Sequence, residues 1–156
     1  MRPASILLVA AGILAATASS SEPGSSGDIP DGIVSAKGLK GFVRASKLPD
    51  PKDPVLAAGK AVWAGTCQAC HGGNKAIGAP KITSSDDWSP RIAQGLDVLF
   101  DHAINGFLGA KYAEMPAKGG NADLSDADVK AAVAFMIWAS GGAEPALGYA
   151  QDTTNK

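Results

Sequence analysis

The stretch Gly65-Thr66-Cys67-Gln68-Ala69-Cys70-His71-Gly72-Gly73 holds both cysteines of the chain and one of its two histidines. A Cys-x-x-Cys pair followed at once by an imidazole suits three chemistries: half of a zinc site, a redox dithiol, or a point of covalent haem attachment. A structural zinc site wants four ligands, and the other histidine, His102, is distant and alone. A thioredoxin-like dithiol opens a helix after a buried strand, whereas this motif closes a run of helical character. Haem attachment asks for no further cysteine. On one helical turn the two thiols reach the two vinyl groups along one porphyrin edge, and the next residue points its imidazole at the iron. That chemistry makes the fewest demands the chain fails to meet.

A haem iron held by histidine needs a sixth ligand or keeps an open position, and a thioether there favours electron transfer over oxygen binding. Of three methionines, Met1 falls in the expected N-terminal export signal described below, and Met136 sits at core spacing with Val129, Val133 and Ile137. Met115 lies in a stretch with no regular pattern and is stiffened by Pro116, so it is the expected sixth ligand, with His102 a remote second. His102 falls off the apolar stripe of its own helix and is expected to face solvent. A ligating imidazole usually donates its other N–H to a fixed acceptor, and the carbonyl of Pro80 is well placed for that.

The elements that must position these residues are helical. Pro54 suits a first helical turn, and residues 54–70 carry Val55, Gly59, Val62 and Trp63 near one face. Residues 72–94 have turn chemistry and read as loop. Residues 95–105 put Leu96, Leu99, Phe100, Ala103 and Ile104 on one stripe. A last helix opens at Ser125, with acids in its first turn, and stops at Gly141-Gly142. It is apolar on two sides, through Val129, Val133 and Met136 and through Ala131, Ala134, Phe135 and Trp138. A helix of that kind is covered twice, and the second cover is expected from residues 19–53 or from a partner. No strand pattern of useful length occurs, so the fold class is all-α.

Arg2, the apolar run Ile6–Ala18 and the small residues at its end read as an export signal cleaved near Ala18. The run is short for a membrane span, so membrane contact is expected only if it is kept as an anchor. The expected organisation is a signal at 1–18, a linker or extension at 19–53, a haem domain at 54–150 and a tail at 151–156. The extension interleaves Ile33, Val34, Leu39, Phe42, Val43 and Leu48 with basic residues, and either stays loose or folds back on the domain. A formal net charge of −1 argues against nucleic acid as a partner. Within 54–150, seven basic side chains face nine acidic ones. Lys75, Lys81, Lys111 and Lys118 fall in the loops expected to frame the haem edge, which suggests a locally positive rim.

The chain resembles the bacterial class I monohaem cytochromes c of the c-five branch. The marks are Gly59 and Trp63 ahead of Cys-x-x-Cys-His-Gly, then GAPK at 78–81, WSPR at 88–91, GLDVLFDHAING at 95–106, and MPAKGG with LSDADVKAAVAFM within 115–136. The resemblance implies a small fold of three to five helices around one haem c with long loops. It implies thioether bonds at Cys67 and Cys70, axial ligation by His71 and Met115, and a carbonyl contact from Pro80. It also implies a crossing of the first and last helices at Gly59, Trp63 and Phe135, and has Trp88 and Arg91 shield or pair with a haem propionate. Leu96, Leu99, Phe100, Phe107, Val133 and Met136 are the apolar residues expected around the macrocycle. Members often carry a further cysteine pair in later loops, which this chain lacks. The implied function is a periplasmic one-electron carrier, not an enzyme, that exchanges electrons with donor dehydrogenases or reductases and acceptor oxidases or reductases. The alternative is an electron-accepting subunit stably bound to a periplasmic dehydrogenase, docked through 19–53.

Overall fold

The computed structural model describes residues 39–109 and 113–156. The expected signal at 1–18, the linker through residue 38 and Lys111 lie outside them. Among the described residues the helices are α1 (Pro54–Val62), α2 (Gln68–His71), α3 (Ser85–Ile92), α4 (Leu96–Asn105), α5 (Asp126–Trp138) and α6 (Ala143–Thr154). A wider π-type turn, Trp63–Cys67, joins α1 to α2, so the chain runs helically from Pro54 to His71. Two short strands, β1 (Phe107–Leu108) and β2 (Glu114–Met115), pair antiparallel with Phe107 opposite Met115. The all-α expectation stands with that small addition.

α1 and α5 begin where the sequence supplies side-chain partners for free N–H groups. Asp53 Oδ1 accepts from Val55 and Leu56 N–H at 2.8 and 3.0 Å, with Pro54 in the first turn. Ser125 and Asp128 cap α5 reciprocally, each side chain bonding the other residue's backbone N–H. α4 is bracketed by Gly95 and Gly106, both at positive φ.

α5 is the central helix, packed by α1, α4 and α6. At the α1–α5 crossing a β-carbon on Gly59 would stand 2.1 Å from the Ala131 carbonyl oxygen. Only glycine permits so close a backbone approach. Beside it the rings of Trp63 and Phe135, both fully buried, meet at 5.9 Å in a tilted arrangement. Burying side chains of this size contributes roughly 1.5–3 kcal/mol each.

Two elements depart from the sequence reading. Within the expected loop 72–94 lies α3, capped by Ser84 Oγ on Asp87 N–H. Its Asp-Asp-Trp-Ser-Pro resembles turn chemistry, but Pro90 falls late in the helix, where Arg91 Nη1 reaches back to the Asp87 carbonyl. The second is α6, which crosses the expected boundary at residue 150. Its buried face is Ala143, Ala146 and Ala150, side chains too small to announce an amphipathic helix. With α6 against α5, Trp138 is buried at 4% exposure within its own chain.

Residues 39–53 fold back as a strap. Val43 and Leu48 enter the core at 2% and 5% exposure. Val43 N–H donates to the Gly72 carbonyl at 2.6 Å, and Ala45 N–H donates to Gln68 Oε1 at 2.6 Å. Lys81 Nζ donates to the Leu39 carbonyl and Lys60 Nζ to the Leu48 carbonyl, at 2.6 and 2.7 Å. The strap is therefore tied to both ends of the Cys-x-x-Cys-His turn.

Gly59→Ala is expected to lower unfolding free energy by at least about 1–3 kcal/mol, the usual cost of overpacking. Gly65, where an added β-carbon meets nothing within 4 Å, should accept alanine with no loss and up to about 1 kcal/mol of gain. Denaturant unfolding of both variants checks the contrast. Asp128 is held below the usual carboxylate range by the Ser125 hydroxyl, then by the Ser125 backbone N–H. A depressed folded-state value stabilises above the unfolded value of about 3.9 and loses that stabilisation as pH falls through the folded one. Asp128→Ala should therefore cost more stability at neutral pH than in acid, as melts across that range would reveal.

Candidate haem site

The Cys-x-x-Cys-His turn opens onto a cavity of about 580 Å³, within the roughly 300–1,000 Å³ usual for small-molecule and cofactor sites. Cys67 and Cys70 stand on one wall with His71, and Pro80, Trp88 and Arg91 continue it. The rest of the lining includes Leu99, His102 and Ala103 of α4, Val133 and Met136 of α5, and Phe107 and Met115 of the strand pair. The fold thus brings Cys67, Cys70, His71 and Met115 to one space from a helical turn and a distant hairpin.

His71 is 6% exposed, with Nδ1 2.8 Å from the Pro80 carbonyl oxygen. A proton on Nδ1 donates there and leaves Nε2 as the metal-binding nitrogen. Burial lowers the imidazole's proton affinity; the Pro80 carbonyl partly opposes this, and the Arg91 charge adds to the lowering. The ring is therefore neutral, the form that coordinates iron. Burial, reinforced by neighbouring Cys70, pushes the Cys67 thiol up to about 11. Redox dithiols depend on a depressed thiol, and the surroundings of Cys67 act in the other direction. Among the described residues no group of three or more His, Cys, Asp or Glu side chains is placed to hold a metal ion. Two thiols on one helical turn, an imidazole oriented by Pro80 and a half-buried thioether in an apolar cavity fit a haem c.

Three expectations differ from where the structure places the residues. Leu96 and Phe100 do not line the cavity. Phe100 packs instead on Tyr149 of α6, ring centroids 4.9 Å apart, with Lys130 Nζ 5.7 Å from its ring centre. The α4 stripe was read as serving one neighbour because α6 was not anticipated. Trp88 lines the cavity as expected, with its indole N–H donated to the Lys81 carbonyl at 2.9 Å, which suits the shielding role of the two expected. Its contribution is to shield, 6.2 Å from the His71 ring. His102 was expected to face solvent; it lines the cavity and stacks on Phe107 at 4.1 Å.

Sequence reasoning missed Asp87, Thr83 and Ser140. Asp87 Oδ2 accepts from Lys81 N–H at 3.1 Å. Ser140 Oγ accepts from the N–H of Thr83, a fully buried residue held at φ +71°. A β-branched residue rarely adopts that conformation, so the tie to Ser140 anchors the segment after Pro80 to the end of α5. No local pattern in the sequence marks a pair so far apart.

An all-α shell around a covalent Cys-x-x-Cys-His attachment turn defines a monohaem c-type electron-transfer protein. The family described as cytochrome c oxidase, cbb3-type, subunit III matches residues 54–136. Cytochrome c-555 of Chlorobaculum tepidum is 49% identical over 81 residues, covering 52% of this chain and 73% of that protein. Cytochrome c5 of Azotobacter vinelandii is 41% identical over 81 residues, covering 51% and 90%. A solved structure, an electron transfer complex of nitrite reductase with cytochrome c, is similar at 37% identity and a TM-score of 0.46, covering 53% of this chain and 94% of that one. The chain belongs to the class I monohaem cytochrome c family and fits its c-five-like branch. Its cofactor is a covalently bound c-type haem, and it is an electron carrier rather than an enzyme.

Trp88→Phe keeps the shielding ring and removes the donor to Lys81. The carbonyl left behind should cost about 1–3 kcal/mol in unfolding free energy, measured by denaturant titration of the haem-loaded protein.

Proposed function

We propose that this chain is a periplasmic one-electron carrier, its haem bonded through Cys67 and Cys70 and its iron held by His71 and Met115. The observation that carries this reading is that Met115 and an imidazole oriented by Pro80 line the same cavity. Two other side chains there compete with Met115. Met136 is 2% exposed in the middle of α5, committed to the helix core. His102 is committed to its stack on Phe107. Met115 sits on a half-buried two-residue strand pinned opposite Phe107, and Pro116 follows it.

Bound haem supplies an iron centre that takes up and releases one electron. The chain's residues set the conditions for that exchange. Trp88, Leu99 and Val133 exclude water from the cavity wall, and His71 is kept in one orientation by Pro80. A thioether from Met115 on the iron would favour the reduced state. The N-terminal apolar run ending near Ala18 supports export to the periplasm. Among the described residues no helix is long and apolar enough to cross a membrane.

The partners in this reading are other redox proteins, met through the cavity mouth. Ile77 and Phe107 line the cavity and are 42% and 44% exposed, with Leu108 beside them at 64%. The positive rim is narrower than the sequence suggested. Lys81 Nζ is held by the Leu39 carbonyl, and Lys118 Nζ by the Leu124 carbonyl and Asp126. The strap also spends Val43 and Leu48 inside its own domain, which favours a free carrier over a subunit docked through that segment.

Optical spectra of the exported protein test the ligand set. The wild type should be low-spin with a weak near-infrared sulfur-to-iron band. Met115→Ala should lose that band, become high-spin or bind carbon monoxide, and fall in reduction potential, whereas Met136→Leu should keep the band. Retention of the band in Met115→Ala would overturn the assignment.

A further inference from the structure

The Pro80 carbonyl and the Lys81 N–H are two ends of one peptide group. His71 Nδ1 lies 2.8 Å from the carbonyl oxygen, and Asp87 Oδ2 accepts from the N–H at 3.1 Å. The amide is therefore bonded at both ends, by an imidazole N–H on one side and a carboxylate on the other. Amide resonance links those ends: negative charge against the N–H pushes electron density onto the carbonyl oxygen and makes it a stronger acceptor. A stronger acceptor draws the Nδ1 proton and raises the basicity of Nε2.

The surrounding contacts hold this peptide in place. The Trp88 indole N–H donates to the Lys81 carbonyl, and Ile82 N–H donates to the His71 carbonyl at 2.8 Å. Asp87 itself is fixed in the first turn of α3, its N–H bonded to Ser84 Oγ. Its carboxylate is partly shielded from solvent, whereas that of the neighbouring Asp86 is exposed.

We propose that Asp87 is a positioning residue for His71, acting through the Pro80–Lys81 peptide to strengthen the Nδ1 hydrogen bond and hold the reduction potential down. The proposal rests on the reading of His71 as an iron ligand. A carboxylate–histidine–metal relay usually has the carboxylate on the imidazole directly; here one peptide group stands between them. A more basic Nε2 donates more strongly and favours the ferric state, so the sign is fixed: weakening the relay raises the potential.

The test uses the full haem-loaded chain and two readouts, the reduction potential by voltammetry and the chemical shift and exchange rate of the His71 Nδ1 proton in the ferrous protein. Asp87→Asn keeps shape and an acceptor oxygen but removes the charge. It should raise the potential, move the Nδ1 proton upfield and speed its exchange. Asp86→Asn removes an equal charge one residue away and should move the Nδ1 proton not at all and the potential far less. Asp87→Glu keeps the charge but displaces the carboxylate, and should shift the Nδ1 proton in the same direction as Asp87→Asn; it carries the test if the asparagine variant fails to fold. Equal potential shifts from both asparagine variants, or a potential shift with an unmoved Nδ1 proton, would overturn the relay in favour of a through-space charge effect. A wild-type His71 ring without the upfield displacement that an axial ligand takes from the macrocycle would overturn the ligand reading itself, a result separable from either.

Discussion

The contact between Gly59 and the backbone of Ala131 governs the rest of the molecule. With no side chain at that crossing, α1 lies directly on α5, and Trp63 and Phe135 close the space on one side of it. α1 continues through the π-type turn into the cysteine pair, so its position sets where Cys67, Cys70 and His71 enter the cavity. α5 supplies the floor of that cavity through Val133 and Met136. One missing β-carbon thus couples the helix that carries the attachment turn to the helix that walls the site.

His71 is over-determined. Its ring is tied to the Pro80 carbonyl, its own carbonyl accepts from Ile82 N–H, and the ring of Trp88 stands 6.2 Å away. The residues that follow Pro80 are themselves held from three directions: by Asp87 and Trp88 of α3, by Ser140 at the end of α5, and by Leu39 of the strap through the Lys81 side chain. A metal-ligating imidazole gains from such support because ring rotation would weaken the bond it makes. The strain at Thr83 is sustained by the same framework.

The strap explains how a family-sized domain accommodates an extension. The family match begins at residue 54, yet residues 39–53 contribute core side chains and bond the attachment turn at Gln68 and Gly72. They leave Ile77 and Phe107 of the cavity lining, and Leu108 next to Phe107, exposed. Lys81 and Lys118 serve as internal ties more than as free surface charge.

Short-range chemistry was legible in the sequence. Cys67, Cys70 and His71 are adjacent in the chain, so their spacing alone carries the haem motif. The cap at Ser125, the helix start at Pro54, the Gly59 crossing and the Pro80 contact follow from local pattern together with family resemblance. Only the tertiary structure decided which faces meet. Phe100 turned to Tyr149 because a helix of small alanines, invisible as an amphipathic pattern, packs where a partner or the extension was expected. His102 turned inward to Phe107 because a two-residue strand pair folds beside it. Asp87 and Ser140 joined the site through backbone hydrogen bonds, which leave no signature in side-chain periodicity. The sequence by itself determined which groups do the chemistry, because covalent attachment depends on residue type and local spacing. The tertiary structure decided what surrounds them, because packing and long-range hydrogen bonds depend on neighbours that only the folded chain brings together.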